Sequence, residues 1–260
     1  MALGIGFWVV TRLLLLVLTT REWAGGQDLV YYFESLSAGQ VSGAFLDAMP
    51  EYPLPAMLTI AIPFALAGGS FGAFAALFVG MMVALDAALS FALWRARGRL
   101  GWGPFLVWGV LVTALGSISY LRFDLVPTVL AGAALLLAAA RPSWSGAAVA
   151  LGAAMKLWPA ALLPAVVVRR GSLRPALFGV AVAGAALVAA TVAAAGVDRL
   201  LSPLSHQTSR GLQIESVWAT PLMLAHSRSP GMYEVRLISE AMEIDGPGAG
   251  LLRLAASGAM

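Results

Sequence analysis

Cysteine is absent from this 260-residue chain, and charge of either sign is scarce. The lack of cysteine excludes disulfide bridges, thiolate metal sites and a cysteine nucleophile at once. Charged side chains make up 11% of the residues and hydrophobic ones 60%, whereas soluble domains carry about 25% charged residues. The composition therefore argues against a soluble domain and indicates an integral membrane protein.

Lysine occurs only once, as Lys156, and the other basic residues are arginines. The net charge of +3 raises the question of a nucleic-acid partner. The arginines, however, fall between apolar stretches and form no patch, which is typical of residues at the edges of a bilayer. No nucleic-acid partner is therefore expected.

Long apolar stretches predict the fold. Several reach the roughly 18–20 residues that a helix needs to span a bilayer, and the first of them is read as a membrane helix and not as a cleaved signal. We expect an all-α polytopic membrane protein whose single transmembrane domain, 1–260, has an extracytoplasmic loop at 20–53, a helical bundle at 54–196 and an extracytoplasmic loop and incomplete tail at 197–260. The predicted helices cover residues 3–19, 54–69, 71–94, 103–118, 124–140, 144–155, 157–168 and 175–196.

Two hairpins are predicted. The apolar pieces 144–155 and 157–168 meet near Lys156 and Pro159, and neither can cross a core of about 30 Å. A hairpin that dips into the protein and returns would place the lysine at its tip. In the tail, partial alternation over 233–244 predicts a β-hairpin-like element.

The first loop has the pattern of an amphipathic helix. Its residues Leu29, Tyr32, Phe33 and Leu36 recur at helical spacing, which predicts a short helix lying on the membrane. The loop also holds five of the chain's thirteen carboxylates. Because such a cluster repels itself, we expect this loop to be ordered by packing against the polar segment 198–218.

The distribution of arginine predicts the topology. The positive-inside rule places the basic turns at 95–99, at Arg141 and at 169–174 in the cytoplasm, and the polar segments between them on the opposite face. Two full crossings between residues 54 and 94 would put Arg95 outside. Either one of those segments does not span fully, or the rule fails there.

The polar segments of the non-cytoplasmic face carry the candidate site. Carboxylates can act as bases, and guanidinium groups can fork onto phosphate, a combination that suits transfer from a lipid-linked phosphate donor to a hydroxyl acceptor. No cofactor or metal is expected, because no cluster of His, Asp and Glu has dependable metal spacing. The candidates are Asp28, Asp47, Glu51, Arg122, Asp124, Lys156, His206, Arg210 and Glu215.

Several candidates have a structural alternative. Asp28 would also serve as the N-cap of the amphipathic helix, and Asp47 and Glu51 could be solvated or pair with Arg21. Lys156 needs a carboxylate or phosphate partner, because a lone ammonium in lipid costs about 2.5–3.5 kcal/mol, unless it snorkels to a headgroup.

Other charges favour simpler pairings. Arg122 and Asp124 could pair with each other at a helix start. Arg210 and Glu215 lie five positions apart, off the spacing of a helical pair. Asp86, inside a long apolar helix, is expected to pair with Arg12 in a structural role.

Four blocks in order resemble one family. The run Asp28-x-x-x-Tyr32, then Gly39, then Asp47-x-x-x-Glu-Tyr-Pro53 resembles the first periplasmic loop of the bacterial polyprenyl-phosphate-mannose-dependent mannosyltransferases, glycosyltransferase family 87. The resemblance covers about residues 20–250, with one departure: the family often has Tyr-Pro-Pro where this chain has Tyr52-Pro53-Leu54. The later blocks that resemble the family are Arg122-Phe-Asp-Leu-Val-Pro127, Lys156-Leu-Trp-Pro159 and Arg210-Gly-Leu-Gln-Ile-Glu-Ser216.

The resemblance implies a fold and an activity. It implies the GT-C fold, a multi-pass protein of the cell membrane, and an active site on the extracytoplasmic face. Asp28 matches the family's general base, for inverting transfer of mannose from a β-linked polyprenyl phosphate to a lipid or glycan acceptor. Members are usually longer, so the final helices are expected to be missing here.

Two other readings stay open. A transporter or flippase of lipid-linked sugars would use the same basic residues, and an inactive fragment would need none of them. The enzyme is favoured because the first loop is rich in carboxylates and no inverted repeat is visible in the sequence.

Overall fold

The computed structural model describes residues 2–22, 27–168, 171–209, 211–238 and 241–258. The chain divides into two compact units, Met1–Ser202 and Pro203–Met260, called here the first and the second unit. The helices that begin in the first unit are α1 Ala2–Glu22, α2 Gln27–Ser42, α3 Leu54–Leu66, α4 Phe71–Leu100, α5 Gly103–Leu115, α6 Ile118–Leu121, α7 Leu125–Leu137, α8 Pro142–Met155, α9 Leu163–Val167 and α10 Leu173–Ser209. The second unit adds β1 Leu212–Gln213, α11 Thr220–Arg228, β2 Glu234–Ile238, β3 Ala241–Asp245 and α12 Ala249–Gly258.

The fold class is confirmed: the protein is a helical, polytopic membrane protein. Each helix predicted from an apolar stretch has a counterpart in the structure. Within the described ranges, three helical stretches are long and apolar enough to cross a membrane, Gly4–Arg21, Phe71–Leu100 and Leu173–His206. The first carries exposed Leu13, Leu14 and Val17, as expected of a surface that faces lipid.

The lengths of α3 and α4 bear on the topological conflict between residues 54 and 94. The helix has 13 residues and is therefore about 20 Å long, too short for a core of about 30 Å. The following α4 has 30 residues, which is ample. A single crossing by α4 would place Arg95 opposite the first loop, as the positive-inside rule expects, and the topology stays a prediction.

Helix α4 is longer than predicted. The sequence predicts a basic turn after residue 94, whereas the helix continues through Arg95, Arg97 and Arg99 to Leu100. It is capped by Gly101, whose φ is 72°. Basic side chains are favourable in the last turn of a helix, and a glycine with positive φ is a common stop.

The amphipathic helix of the first loop is confirmed as α2. Leu29, Tyr32 and Leu36 are buried on one face of it, against the core of the first unit. Phe33 packs edge-on against Phe64. The hydrophobic spacing read from the sequence therefore identifies the side of α2 that faces the bundle.

The predicted hairpin at Lys156 is also present. Helix α8 ends at Met155, Lys156 has extended backbone, and a 3-10 turn, Trp158–Leu162, leads into α9. Val149 of α8 and Val166 of α9 belong to one buried cluster. The two segments thus pack side by side, with the lysine where they join.

Small residues let α8 and α10 approach closely. A Cβ on Gly146 would lie 1.9 Å from the carbonyl oxygen of Ala176, and a Cβ on Gly179 would lie 1.9 Å from that of Ser143. No other residue type would fit at these positions without a shift of the backbone. Glycine at the interface is a common device for helix packing in membranes.

The polar segment after Gly196 differs from the prediction. The sequence predicts a loop from residue 198, whereas α10 continues to Ser209 beyond a kink at Gly196, where φ is 81°. The kink lets the chain change direction while the helical hydrogen bonding resumes on the far side. The loop assignment for 198–209 is therefore wrong.

The second unit is built around a small antiparallel sheet in the order β1-β3-β2. The predicted β-hairpin is confirmed as β2 and β3, with Val235 opposite Ile244 and Arg236 opposite Glu243. Leu212, Leu222 and Ile244 form the centre of its apolar core.

A buried ion pair joins α1 to α4, as predicted. Arg12 donates to Asp86 through Nε at 2.7 Å and Nη2 at 2.8 Å. The same carboxylate accepts hydrogen bonds from Trp108 of α5 at 2.7 Å and Tyr120 of α6 at 2.9 Å. Because every charge here has partners, the cluster connects four helices without leaving an unpaired charge in the apolar core.

Candidate functional site

Asp28 and Arg122 form an ion pair between α2 and the turn that precedes α7. Arg122 Nε donates to Asp28 Oδ2 at 2.6 Å, and the two side chains are 38% and 35% exposed. Asp28 lies in the first turn of α2, after Gln27, so it is not the N-cap residue. Its carboxylate is instead directed to a residue 94 positions away.

Lys156 pairs with Asp124, and Asp124 lies two residues after Arg122 in the sequence. The ammonium donates to Asp124 Oδ1, and both side chains are about half exposed. Arg122 and Asp124 were open to pairing with each other, but the structure gives each of them a partner from another segment. The turn before α7 therefore joins the start of α2 to the tip of the α8–α9 hairpin.

Tyr52 lies among the carboxylates of this cluster. Its hydroxyl is 3.1 Å from that of Tyr32, and its ring packs edge-on against Phe123, between the two paired residues. Burial raises the pKa of Tyr52 to about 12, a rise that the charges of Asp28, Glu51 and Asp124 increase and the hydrogen bond with Tyr32 opposes. Tyr52 is thus a neutral hydroxyl that the site keeps close to three acidic side chains.

Glu51 accepts a hydrogen bond from Tyr31 of α2. Burial, followed by this hydrogen bond, raises the pKa of Tyr31 well above its ordinary value. The suggested pairing of Glu51 with Arg21 is replaced by this contact. Two tyrosines of α2, Tyr31 and Tyr32, therefore hold the end of the first loop.

These acidic and basic side chains form one continuous cluster at one end of the bundle. Part of this cluster lies in a stretch of sequence that matches a known protein family. The sequence model of glycosyltransferase family 87 matches residues 51–256. The chain belongs to glycosyltransferase family 87. No curated protein and no solved structure matches it. The match includes Arg122, Asp124 and Lys156, whereas Asp28 precedes it.

Arg199 is a residue of this glycosyltransferase that sequence reasoning missed. Its guanidinium donates to the carbonyl oxygens of Leu46 at 2.7 Å and Tyr52 at 2.9 Å, and more weakly to those of Ala48 and Met49. In the sequence it looks like one more arginine at a bilayer edge. Only the folded loop shows that its donors meet four backbone acceptors.

The contact with Arg199 bears on the predicted packing of the first loop. Ser202 also donates to the carbonyl oxygen of Pro50, at 2.8 Å. The prediction that the first loop packs against the segment beginning at 198 is thereby confirmed for residues 46–52. Asp47 lies exposed in this loop, close enough to act electrostatically on Arg199 together with Glu51.

Two predicted site residues of the glycosyltransferase, His206 and Glu215, belong to the second unit. His206 is half-buried near the end of α10, and Glu215 is exposed in the turn after β1. Arg210 lies outside the described residues. The substrate-binding role of these three stays a prediction.

Within the described ranges, no group of three His, Asp or Glu side chains is arranged to hold a metal ion.

Proposed function

We propose that this glycosyltransferase transfers a mannose-type sugar from a polyprenyl-phosphate donor to a hydroxyl group of a lipid or glycan acceptor, with inversion. Asp28 acts as the general base. The observation that carries the proposal is the Asp28–Arg122 pair, because it sets a carboxylate beside a guanidinium at 2.6 Å in a half-exposed position. A base and a phosphate-binding group are thus already adjacent.

Arg122 and Lys156 bind the phosphate of the donor. Each is neutralised by one carboxylate, Asp28 or Asp124. Ion pairs this exposed are worth about 0–1 kcal/mol, so an incoming phosphate can replace a carboxylate at little cost. A guanidinium can then bind two phosphate oxygens at once, while the ammonium supplies a point charge.

The exchange also prepares the base. When Arg122 turns to the phosphate, Asp28 loses its partner and is free to accept a proton from the acceptor hydroxyl. The acceptor oxygen forms a bond to the anomeric carbon, and the bond between that carbon and the phosphate oxygen breaks. The polyprenyl phosphate leaves with the electron pair. A single displacement of this kind inverts the configuration.

Arg199 and the tyrosines of α2 position the loop from Leu46 to Tyr52, which borders the site. Arg199 holds the loop from Leu46 to Tyr52 by its carbonyl groups, and Tyr31 holds Glu51. Preorganisation of this kind matters because small displacements of catalytic groups cost large factors in rate. Asp47 and Glu51 remain available to bind hydroxyl groups of a substrate.

The active site lies on the extracytoplasmic face in this proposal, within a GT-C fold of the cell membrane. Two ion pairs join the start of α2, the turn before α7 and the tip of the α8–α9 hairpin, so these ends lie together. The arginines at the end of α4 fall on the opposite side if α4 crosses once. His206, Arg210 and Glu215 remain predicted substrate-binding residues, and nothing in the proposal depends on them.

Radiolabelled donor tests the proposal directly. Membranes that contain the protein are incubated with radiolabelled polyprenyl-phosphate mannose and a lipid extract, and the products are separated. We expect label in a new acid-stable lipid or glycan, with release of polyprenyl phosphate. Donor that crosses the membrane without being cleaved would instead support a transporter and overturn the proposal. Label transferred only from another donor class would overturn the assignment of the substrate.

A further inference from the structure

A cavity of about 420 Å³ lies in the second unit, and none of the residues that line it takes part in the proposed reaction. It is lined by both strands of the β2–β3 hairpin and by the first turns of α12. Its volume is within the range of about 300–1,000 Å³ that is typical of small-molecule sites.

The polar lining follows from the register of the hairpin. Glu234 lies opposite Asp245, and Arg236 lies opposite Glu243. Since alternate residues of a strand share one face, all four project to the same side of the sheet. Ile244 points to the other side, into the apolar core. The hairpin therefore presents an ordered set of charges to the cavity.

Glu243 is the group that points to a ligand. Its side chain is buried, with 7% of the residue exposed, and it lines the cavity. Its Oε1 has no hydrogen-bond partner in the described part of the chain. Its other oxygen rests on Gly211, where a Cβ would lie 2.2 Å from Oε2. A buried carboxylate oxygen without a donor is costly, and a ligand that donates a hydrogen bond would remove the cost.

The charges around Glu243 restrict the ligand. The lining has three carboxylates, those of Glu234, Glu243 and Asp245, and two guanidinium groups, those of Arg236 and Arg253. An anionic ligand would be repelled by the three carboxylates, and the guanidinium of Arg236 is already paired with Glu234. No metal-holding group of three occurs in the described ranges.

Hydroxyl groups fit this mixture best. Each hydroxyl can donate to a carboxylate and accept from a guanidinium at the same time. Ile238, on the same face of the hairpin as Glu234 and Arg236, adds an apolar part to the lining, which suits the C–H face of a sugar ring. We infer that this cavity is a binding site for a neutral, polyhydroxylated ligand, a carbohydrate ring, held by the buried carboxylate of Glu243.

The inference does not rest on the transfer reaction. Binding at the second unit requires none of Asp28, Arg122 or Lys156, and a failed activity assay would leave it unaffected. The test therefore measures binding of a sugar to the full chain, in a detergent without a sugar headgroup.

The probe is methyl α-D-mannopyranoside, followed by saturation-transfer NMR. A ligand with about 13 non-hydrogen atoms should bind with a Kd of about 1 mM. Glu243→Leu removes the carboxylate and should weaken binding at least about tenfold. Gly250→Phe provides a second variant that leaves Glu243 intact. It should block the cavity without disturbing the fold, because a Cβ at Gly250 meets no atom within 4 Å.

Arg228→Gln is the control, because Arg228 is exposed in α11 and is not part of the lining. It should bind the sugar as the unaltered chain does. Absence of saturation transfer in the unaltered chain at about 20 mM sugar, well above that Kd, would overturn the inference. Equal binding by Gly250→Phe would place the sugar elsewhere and overturn it as well. A response to tetramethylammonium or methyl phosphate, but not to the sugar, would show that the site takes an ion and would overturn the inference.

Discussion

Asp28 accepts a hydrogen bond from Arg122 Nε at 2.6 Å, although 94 positions separate the two residues. The contact fixes the first turn of α2 against the turn before α7. It also determines the resting state of the proposed base, which is paired until another anion takes its partner. The consequences for activity can be measured residue by residue.

Replacement of Asp28 by Asn should lower turnover by about 10²–10⁴-fold, the usual contribution of a positioned base. The amide keeps the size of the side chain and a hydrogen-bond acceptor for Arg122, so expression and donor binding should persist. Glu34→Gln is the matched control, because Glu34 is an exposed carboxylate on the same helix. If Asp28→Asn keeps more than about half of the unaltered turnover, Asp28 is not the base, because loss of a base lowers the rate far more than that.

Replacement of Lys156 by Gln should raise KM for the polyprenyl-phosphate donor more than it lowers kcat. The physical reason is that the ammonium acts on the phosphate, which is charged in both the bound substrate and the leaving group. Steady-state kinetics over a range of donor concentrations measures the two parameters separately. Arg21→Gln is the control, since Arg21 is exposed at the end of α1. An unchanged KM in Lys156→Gln would remove the lysine from the phosphate site.

Cysteine labelling should place α2 and the end of α4 on opposite sides of the membrane. The chain has no cysteine of its own, so single introduced residues can be read without background. Gln40→Cys, exposed on α2, should react with an impermeant reagent in intact cells, and Gly98→Cys, exposed near the end of α4, should react only after permeabilisation. Reaction of Gly98→Cys from outside would contradict the single crossing by α4.

Loss of one partner of the buried Arg12–Asp86 pair should destabilise the protein by about 3–5 kcal/mol, because a charge is left unpaired. Arg12→Gln should therefore lower the midpoint of thermal unfolding in detergent. The double variant Arg12→Met, Asp86→Leu should recover only part of the loss, because Trp108 and Tyr120 then lack their acceptor. Thr20→Ala, at an exposed site, serves as the control, and an equal effect of Thr20→Ala and Arg12→Gln would contradict the role of the pair.

Gly179→Ala should separate α10 from α8 and reduce both folding yield and thermal stability. Its Cβ would lie 1.9 Å from the carbonyl oxygen of Ser143, and a backbone atom cannot move aside as a flexible side chain can. Gly184→Ala, in the same helix, is the control: its Cβ meets nothing within 4 Å, and the change should be neutral or stabilise by up to about 1 kcal/mol. Comparable losses in both variants would show that the close approach is not the cause.

The sequence by itself determined which segments contain helices, although the ends of α4 and α10 differed from the prediction. Apolar runs, the glycines at 68 and 69 and the proline after Lys156 act over a few neighbouring residues, so their effect can be read locally. The buried face of α2 followed from the spacing of Leu29, Tyr32 and Leu36. The Arg12–Asp86 pair was also predictable, because a charge within an apolar span needs a partner and the apolar spans contain few charged residues.

Only the tertiary structure decided which charges meet elsewhere. Several carboxylates competed for Arg122 and Lys156, and no sequence spacing distinguishes Asp28 from Glu51 as a partner 70 or more positions away. The same holds for Arg199, whose partners are carbonyl groups that every residue has. The continuation of α10 to Ser209 was missed because one glycine can either end a helix or kink it. Local patterns specify which segments form helices, but partner choice depends on packing that brings distant segments together.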